Sequence, residues 1–353
     1  MIKVLGLALY GPLAASTRYR LGQYVSGLAK FGIQLEICHL LGDDYLKRRF
    51  NGESLHISAV FHAGIKRISD LFSQNDYDLI IVYGELFPYM PWWMEQALLR
   101  KPYIYDFDDA FYLKYRNARR WIASSFLGRK FESVIAGASA ITAGNHILEK
   151  YATRFNNNTF YLPTVVDTDR YYPHHTSLSD KVFTVGWIGS PTTAPFLSEL
   201  IEPLSIIGKE GPVRFVVIGG KAPVVPNVTV IEIEWHEQTE VELINTFDVG
   251  VMPLPDSEWA RGKCAFKLIQ YMACAVAVIA SPIGANTNVI NSKCGFFAST
   301  AQDWVQKLRE LRDQPYERAE MGRAGMVRVK QHYSLQRNIP VLASVIQQVL
   351  EIE

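Results

Sequence analysis

Short apolar runs alternate with amphipathic stretches along this 353-residue sequence. The alternation is typical of strand–helix–strand units, in which helices cover both faces of a parallel sheet. The runs fall into two series, separated by the polar, proline-containing stretch YYPHHTSLSD at 171–180. The chain is also too long for one ordinary doubly wound domain. The sequence therefore predicts an α/β protein built from two doubly wound domains.

The apolar runs give the positions of the strands. The first series predicts strands at 3–9, 35–40, 79–83, 103–106, 140–143 and 159–162, and the second at 183–188, 214–219, 228–233, 249–253 and 277–280. Helices are predicted at 16–30, with Ser16 as the N-cap, at 192–207, and over the charged region from 303 onward. Ligands bind beyond the carboxyl ends of parallel strands, so functional residues are expected there.

Composition excludes several classes of protein. The 36 lysines and arginines nearly balance the 35 aspartates and glutamates, which argues against a dedicated nucleic-acid-binding protein. The four cysteines form no C-x-x-C pair, which indicates reduced thiols and a cytoplasmic location. The longest uncharged apolar run, 272–280, is far below the roughly 20 residues that a membrane-spanning helix needs. We therefore expect a cytoplasmic protein with no segment that crosses a bilayer.

The segment DSEWARGKCAFKLIQYMACAVAVIAS at 256–281 carries the strongest chemical signal. A helix is predicted to begin near Gly262, and Lys263, Lys267 and Gln270 share one of its faces at i, i+4 and i+7. Two lysines at the start of a helix add their charge to its free N–H groups and the positive end of its dipole, which suits a diphosphate. Two solvated lysines on an exposed helix explain the same pattern.

Six segments in a fixed order extend this interpretation. They are LPTVVDTDRYYP at 162–173, GWIGS at 186–190, FVVIGG at 215–220, VIEIEWHEQTEVELINTFDVGVMPL at 230–254, GKCAFKLIQYMA at 262–273 and SPIGANTNVI at 281–290. Their order resembles the GT-B glycosyltransferases and, within them, the large retaining family 4. The first segment resembles the interdomain hinge of that family, with Thr164 and Val165 where Asn-Gly is usual.

The resemblance implies a fold and an activity. It implies two Rossmann-like domains that face each other across a cleft: an acceptor domain at 1–165, joined by a C-terminal helix at 335–353, and a donor domain at 166–334. It also implies an enzyme that transfers a sugar from a nucleotide-diphosphate sugar to a glycan or lipid-linked saccharide, with retention and without a metal or other cofactor. Such a reaction belongs to the biosynthesis of surface polysaccharides or glycoconjugates.

The same resemblance implies a set of donor-binding residues. Glycine-bearing loops approach the donor phosphates, an aromatic residue lies near the nucleobase, and the lysine pair helps the diphosphate to depart. The residues expected in these roles are Gly11, Gly189, Ser190, Gly219, Trp235, Lys263 and Lys267.

The sequence departs from the family at its pair of glutamates, which are separated by seven residues. Gly262 and Gln270 stand at these positions. Gln270 is expected to hold the donor ribose through its amide. Gly262 has no side chain to position the transferred sugar, so Asp256, Glu258 or a backbone N–H is expected to replace the first glutamate. The loss of both glutamates also fits a catalytically silent relative.

In the first half, YDFDDAFY at 105–112 places three aspartates at the end of a predicted strand. Asp106 or Asp108 is expected to contact donor or acceptor hydroxyls as a catalytic residue, because family members often carry a histidine near the transferred sugar at this position. Asp109 is equally well explained as a helix cap. The three carboxylates resemble a metal site, but the family generally needs no bound metal.

The segment YGPLAASTRYR at 10–20 follows the first predicted strand. Ser16, Arg18 and Arg20 are expected to reach phosphate or an anionic acceptor. One of the two arginines is expected to lie on the helix surface instead.

Two segments bear on location. Between 114 and 130 there are six basic residues and no acid, interleaved with aromatic and aliphatic residues, and FPYMPWWM at 87–94 concentrates aromatics. Together they predict peripheral contact with an anionic membrane, at the inner face of the cell membrane, and a lipid-linked acceptor. A core-facing helix stripe and a packed turn explain them equally well.

Other functions remain open at this stage. A GT-B sugar-nucleotide epimerase or phosphorylase shares the fold. A catalytically silent subunit of a polysaccharide assembly complex fits the missing glutamates. A nicotinamide-dependent dehydrogenase is disfavoured, because no G-x-G-x-x-G follows the first predicted strand.

Overall fold

Each predicted series of strands forms one parallel sheet. A computed structural model describes residues 1–50, 52–54, 57–116, 127–174 and 182–351. The chain divides into unit 1, which comprises Met1–Thr164, Gly262–Cys264 and Leu335–Glu353, and unit 2, which comprises Val165–Arg261 and Ala265–Ser334. The sequence places 262–264 in the donor domain, whereas the structure places this tripeptide in unit 1.

Unit 1 contains a six-stranded sheet in the order β2-β1-β3-β4-β5-β6. All of its pairings are parallel. Strands β3, β4 and β5 are buried along their whole length, which explains why they consist of largely apolar runs. The strands are β1 (Ile2–Tyr10), β2 (Ile33–Leu41), β3 (Leu79–Tyr83), β4 (Tyr103–Phe107), β5 (Ala140–Ala143) and β6 (Thr159–Tyr161).

Unit 2 contains a second six-stranded parallel sheet, in the order β12-β11-β10-β7-β8-β9. Its strands are β7 (Phe183–Ile188), β8 (Val213–Ile218), β9 (Thr229–Ile233), β10 (Val249–Met252), β11 (Ala277–Ala280) and β12 (Gly295–Phe297). The short edge strand β12 is absent from the sequence prediction, because three residues carry no readable alternation.

The helices lie between the strands and after the last one. They are α1 (Ala15–Arg20), α2 (Val25–Ala29), α3 (Asp43–Phe50), α4 (Ile57–Phe72), α5 (Trp92–Leu98), α6 (Leu113–Arg116), α7 (Lys130–Gly137), α8 (His146–Thr153), α9 (Ile201–Glu210), α10 (Glu240–Ile244), α11 (Glu258–Arg261), α12 (Phe266–Ala273), α13 (Asn286–Val289), α14 (Ala301–Asp313), α15 (Pro315–Arg328) and α16 (Leu335–Glu351).

Two predicted helices are interrupted. The helix expected at 16–30 consists of α1, a 3₁₀ turn at Gly22–Tyr24 and α2, and its N-cap is Ala14 rather than Ser16. The helix expected at 192–207 begins as a 3₁₀ segment at Ala194–Leu200 before α9. Of the linker predicted at 171–180, residues 175–180 lie outside the described residues.

A buried ionic network fixes the loop after β3 in unit 1. Lys130 is 1% exposed, and its Nζ lies 2.9 Å from a carboxylate oxygen of both Glu85 and Glu95 and donates to the carbonyl of Phe87 at 2.6 Å. Tyr115 also donates its hydroxyl proton to Glu85. Burial raises the pKa of Glu95 to about 7, although Lys130 opposes the shift. The network therefore holds two carboxylates and one ammonium group away from water.

This network corrects part of the predicted membrane surface. Tyr115, Leu127 and Lys130 are buried in unit 1 and do not face outward. Residues 117–126 of the predicted surface lie outside the described part of the chain. In the 87–94 segment Phe87 is buried, whereas Tyr89, Trp93 and Met94 are exposed. None of the described helices has the length and apolarity to span a membrane.

Replacing Lys130 by methionine tests the network. The variant Lys130→Met removes the cation that Glu85 and Glu95 share; Glu85 keeps Lys114 at 2.6 Å, but the buried Glu95 loses its ion pair, so we expect the free energy of unfolding to fall by about 3–5 kcal/mol. Urea denaturation followed by circular dichroism measures the loss. The matched control Lys150→Met, on an exposed face of α8, should change stability by less than about 0.5 kcal/mol. Equal effects of the two substitutions would contradict a special role for Lys130.

Candidate active site

A buried ion pair lies under the carboxyl-terminal edge of the sheet in unit 1. Arg20 is 1% exposed and donates to both carboxylate oxygens of Asp106, from Nε at 2.9 Å and from a terminal nitrogen. It also donates to the Leu162 carbonyl at 2.7 Å, and Thr142 donates to Asp106 at 2.5 Å. These contacts correct two predictions: Arg20 holds Asp106 rather than an external anion, and Asp106 is a buried structural carboxylate.

Asp108 lies in a different setting, partly exposed beyond the end of β4. The Tyr83 hydroxyl donates to its carboxylate at 2.5 Å, and the Ser16 side chain is hydrogen-bonded to Tyr83. Burial raises the pKa of Asp108 to about 6, and Arg20 and the Tyr83 hydrogen bond oppose the shift. Asp108 therefore remains a candidate catalytic residue, and Tyr83 is a partner that the sequence did not reveal.

The tripeptide Gly262–Cys264 packs beside these aspartates within unit 1. Asn145, the N-cap of α8, donates to the carbonyl of Gly262 at 2.7 Å. Lys263 forms an ion pair with Asp109 at 3.4 Å, and the thiol of Cys264 donates to the carbonyl of Asp108 at 3.0 Å. The structure therefore brings Lys263 to the aspartate loop, although the two are more than 150 residues apart in sequence.

Close packing explains the glycine at position 262. A Cβ at Gly262 would lie 2.6 Å from the Cβ of Ala110 and 3.0 Å from its backbone nitrogen. Both distances are too short for ordinary contact, so a glutamate at this position requires the backbone to shift. Close packing against Ala110 in unit 1 therefore favours glycine at position 262.

The remaining residues predicted in unit 1 lie near the end of β1. Gly11 is buried, and a side chain there would collide with Asp43, which accepts from the backbone N–H of Leu13 at 2.9 Å. Arg18 donates to the carbonyls of Pro12 and Leu13 at 2.8 Å each. Arg18 thus stabilises the turn that follows β1.

In unit 2 two glycine turns and a lysine meet at the carboxyl-terminal edge of the sheet. Gly219 has a φ of +75°, and a Cβ there would lie 2.5 Å from the carbonyl oxygen of Gly189. A Cβ at Gly189 would lie 2.8 Å from Cε of Lys267, and the Nζ of Lys267 lies 5.3 Å from the ring centroid of Trp187. The structure therefore places Gly189, Gly219 and Lys267 together.

The helix that carries Lys267 begins later than expected. Ala265 has a left-handed φ of 55°, and α12 starts at Phe266 without a side-chain cap. Lys263 therefore lies outside the helix, and the predicted face shared by Lys263, Lys267 and Gln270 is wrong. A non-glycine residue in left-handed backbone leaves no trace in a pattern of apolar positions.

Gln270 is buried and belongs to a hydrogen-bond network. Its amide donates to the hydroxyl of Tyr171 at 2.9 Å, and Tyr171 donates to Glu240 at 2.6 Å. The indole N–H of Trp235 donates to the other oxygen of Glu240 at 2.8 Å. Trp235 and Gln270, predicted on the base and ribose sides of the donor, are thus joined through a carboxylate that the sequence did not single out.

The other predicted donor residues are more exposed. The Ser190 hydroxyl lies 2.7 Å from the Thr192 hydroxyl beyond the end of β7. Glu258 is exposed at the start of α11, and Asp256 pairs with Arg261 at 2.8 Å. Among the described residues, no group of three or more histidines, cysteines, aspartates or glutamates is arranged to hold a metal ion.

Comparison with known sequence families indicates the class of enzyme. Residues 180–314 match the family described as glycosyl transferases group 1. The matched range includes Lys267, Gln270 and the turns at Gly189 and Gly219. It confirms the prediction of a glycosyltransferase at the level of the enzyme class. A search among curated protein sequences finds no match.

Comparison with solved structures confirms the predicted fold, GT-B with two Rossmann-like domains. Sucrose-phosphate synthase from Thermosynechococcus elongatus is similar, with a TM-score of 0.71, 14% identity and full coverage of both chains. A glycosyltransferase from Rickettsia africae gives a TM-score of 0.70 at 13% identity, over 100% of this chain and 99% of that one. HepE of Anabaena, in complex with UDP and glucose, gives 0.69 at 13% identity, over 99% and 100%.

Removing the hydroxyl of Tyr83 tests the geometry around Asp108. In Tyr83→Phe the carboxylate loses a hydrogen bond that favours its ionised form, so the pKa of Asp108 should rise above its value of about 6. Carboxyl-detected NMR titration measures this directly. Tyr77→Phe, which removes a hydroxyl bonded to Glu36, is the matched control and should leave the Asp108 titration unchanged. An unchanged or lower pKa in Tyr83→Phe would exclude the described contact.

Proposed function

We propose that this protein is a retaining glycosyltransferase of family 4. In this proposal it transfers a sugar from a nucleoside-diphosphate sugar to a glycan or lipid-linked saccharide, without a metal or other cofactor. The reaction then serves the assembly of a surface polysaccharide or glycoconjugate. Unit 2 binds the donor and unit 1 binds the acceptor.

The observation that carries the proposal is the arrangement of Lys267 in unit 2. A Cβ at Gly189 would lie 2.8 Å from Cε of Lys267, a Cβ at Gly219 would lie 2.5 Å from the carbonyl oxygen of Gly189, and Lys267 lies in the first turn of α12. A lysine in the first turn of a helix adds its charge to the positive end of the helix dipole, which suits the charge that develops on a departing diphosphate. The match of 180–314 to glycosyl transferases group 1 supports this assignment.

On the acceptor side, Asp108 is the residue that we propose to contact sugar hydroxyls. Its carboxylate is partly exposed and oriented by Tyr83, whereas Asp106 is enclosed by Arg20 and Thr142. A carboxylate that accepts hydrogen bonds from hydroxyl groups suits a saccharide. Lys263 and Asp109 lie in the same loop cluster and complete the proposed surface.

A panel of sugar nucleotides tests the reaction class. Purified protein is incubated with UDP-, GDP- and dTDP-sugars and acceptor extracts, and release of nucleoside diphosphate is measured with and without EDTA. We expect acceptor-dependent release with one base, unaffected by EDTA, and an α-linked product from an α-linked donor. Failure of every sugar nucleotide to bind would rule out the transferase function.

Substitution of Lys267 tests the diphosphate site. Lys267→Ala removes a positive charge from the leaving diphosphate, so we expect kcat to fall by about 100-fold or more. The melting temperature should change little, because the side chain is only partly buried. Lys293→Ala, an exposed lysine of unit 2, is the matched control and should retain full activity. Unchanged activity in Lys267→Ala would remove this residue from the site.

A further inference from the structure

A buried carboxylate in unit 2 collects hydrogen bonds from three different side chains. Glu240 begins α10 and is 1% exposed. One of its oxygens accepts from the Tyr171 hydroxyl at 2.6 Å and from a guanidinium nitrogen of Arg170 at 2.8 Å. The other accepts from the indole N–H of Trp235 at 2.8 Å. The two carboxylate oxygens thus orient groups from two separate segments of the chain.

The direction of the hydrogen bonds extends this network to Gln270. The Tyr171 hydroxyl has one proton, which it donates to Glu240, and it therefore accepts from the amide of Gln270 at 2.9 Å. Gln270 therefore donates to Tyr171, Tyr171 donates to one oxygen of Glu240, and the indole of Trp235 donates to the other oxygen of the same carboxylate. All of these donors are satisfied only if both side-chain oxygens of residue 240 accept hydrogen bonds.

The network also explains how Trp235 is held. The ring is only partly buried, so packing alone leaves it freedom to rotate. A hydrogen bond from its single N–H to a fixed anion restricts the ring to one orientation, and charge-assisted bonds of this kind are stronger than neutral ones. Arg170 also donates to Glu237, which anchors the cationic side of the network. Glu240 therefore fixes the orientation of the Trp235 indole directly and that of the Gln270 amide through Tyr171.

We propose that Glu240 is a positioning residue for the nucleoside half of the donor, acting through Trp235 on the base and through Tyr171 and Gln270 on the ribose. The proposal rests on the function proposed above, which assigns the donor to unit 2. The proposal predicts that the two halves of one ligand, the nucleoside and the diphosphate, respond differently to the loss of Glu240. Loss of Glu240 weakens binding of the nucleoside, whereas the diphosphate contacts at Lys267 persist.

Isothermal titration calorimetry of Glu240→Gln with UDP, GDP, dTDP and inorganic pyrophosphate tests the proposal. A carboxamide accepts at one end only, so the variant cannot satisfy Trp235 and the Tyr171–Arg170 pair together. We expect the Kd of the preferred nucleoside diphosphate to rise roughly tenfold, the loss of about one hydrogen bond to a charged group. The Kd of pyrophosphate should stay unchanged. Glu242→Gln, exposed on the same helix, is the control and should bind both ligands like the wild type.

The outcomes separate this proposal from the proposed function. If the wild-type protein binds no nucleoside diphosphate, the donor assignment itself fails. If the wild type binds but Glu240→Gln binds equally well, or loses pyrophosphate and nucleotide affinity to the same extent, Glu240 has no positioning role. Tyr171→Phe is a second variant in case Glu240→Gln does not fold. Tyr171→Phe preserves the hydrogen bond between Trp235 and Glu240, and it should also raise the Kd of the nucleoside diphosphate but not the Kd of pyrophosphate.

Discussion

The parallel register of the strands in unit 1 is the constraint on which the aspartate loop depends. Because β3, β4 and β5 are neighbours, Tyr83 stands beside Asp106, and Asp106 stands beside Thr142. At this edge of the sheet Thr142 donates to Asp106, whereas Tyr83 donates to Asp108, two residues further along the chain. Arg20 compensates the buried charge of Asp106. Without such a partner a carboxylate in this position would be strongly disfavoured.

This arrangement gives the three carboxylates of YDFDDAFY three different environments. Asp106 is buried in an ion pair with Arg20, the side chain of Asp108 is partly exposed, and Asp109 pairs with Lys263. Their side chains thus point to three separate partners. These three acidic residues lie within four positions of the sequence but do not converge, because each is held by different residues of unit 1.

Much of the fold could be predicted from the sequence, because buried parallel strands require continuous apolar runs. The predicted strands at 79–83, 140–143, 183–188 and 277–280 coincide with those of the structure. Helix starts were less predictable. Ser16 is not a cap, because the chain enters α1 one residue before it, and α12 starts after the left-handed Ala265. Such backbone conformations depend on tertiary packing rather than on local composition.

The candidate site shows the same division. The proximity of Gly189, Gly219 and Lys267 could be predicted, since glycine turns and a lysine in a first helical turn are local features. The partners of Arg20 and Lys130 could not, because Asp106 lies 86 residues from Arg20 and Glu85 lies 45 residues from Lys130. A basic residue in the sequence therefore indicates neither a phosphate nor a membrane until its carboxylate partners are known.

The same reasoning accounts for the glutamine at position 270. Tyr171 already gives its proton to Glu240, so its oxygen presents only lone pairs to residue 270. An amide can donate to that oxygen, whereas an ionised glutamate would place a second acceptor and a second negative charge beside it. Two buried carboxylates linked by one hydroxyl would repel each other, and one would have to take up a proton. Because residue 240 is a buried carboxylate, a neutral hydrogen-bond donor at position 270 is more favourable than a second carboxylate.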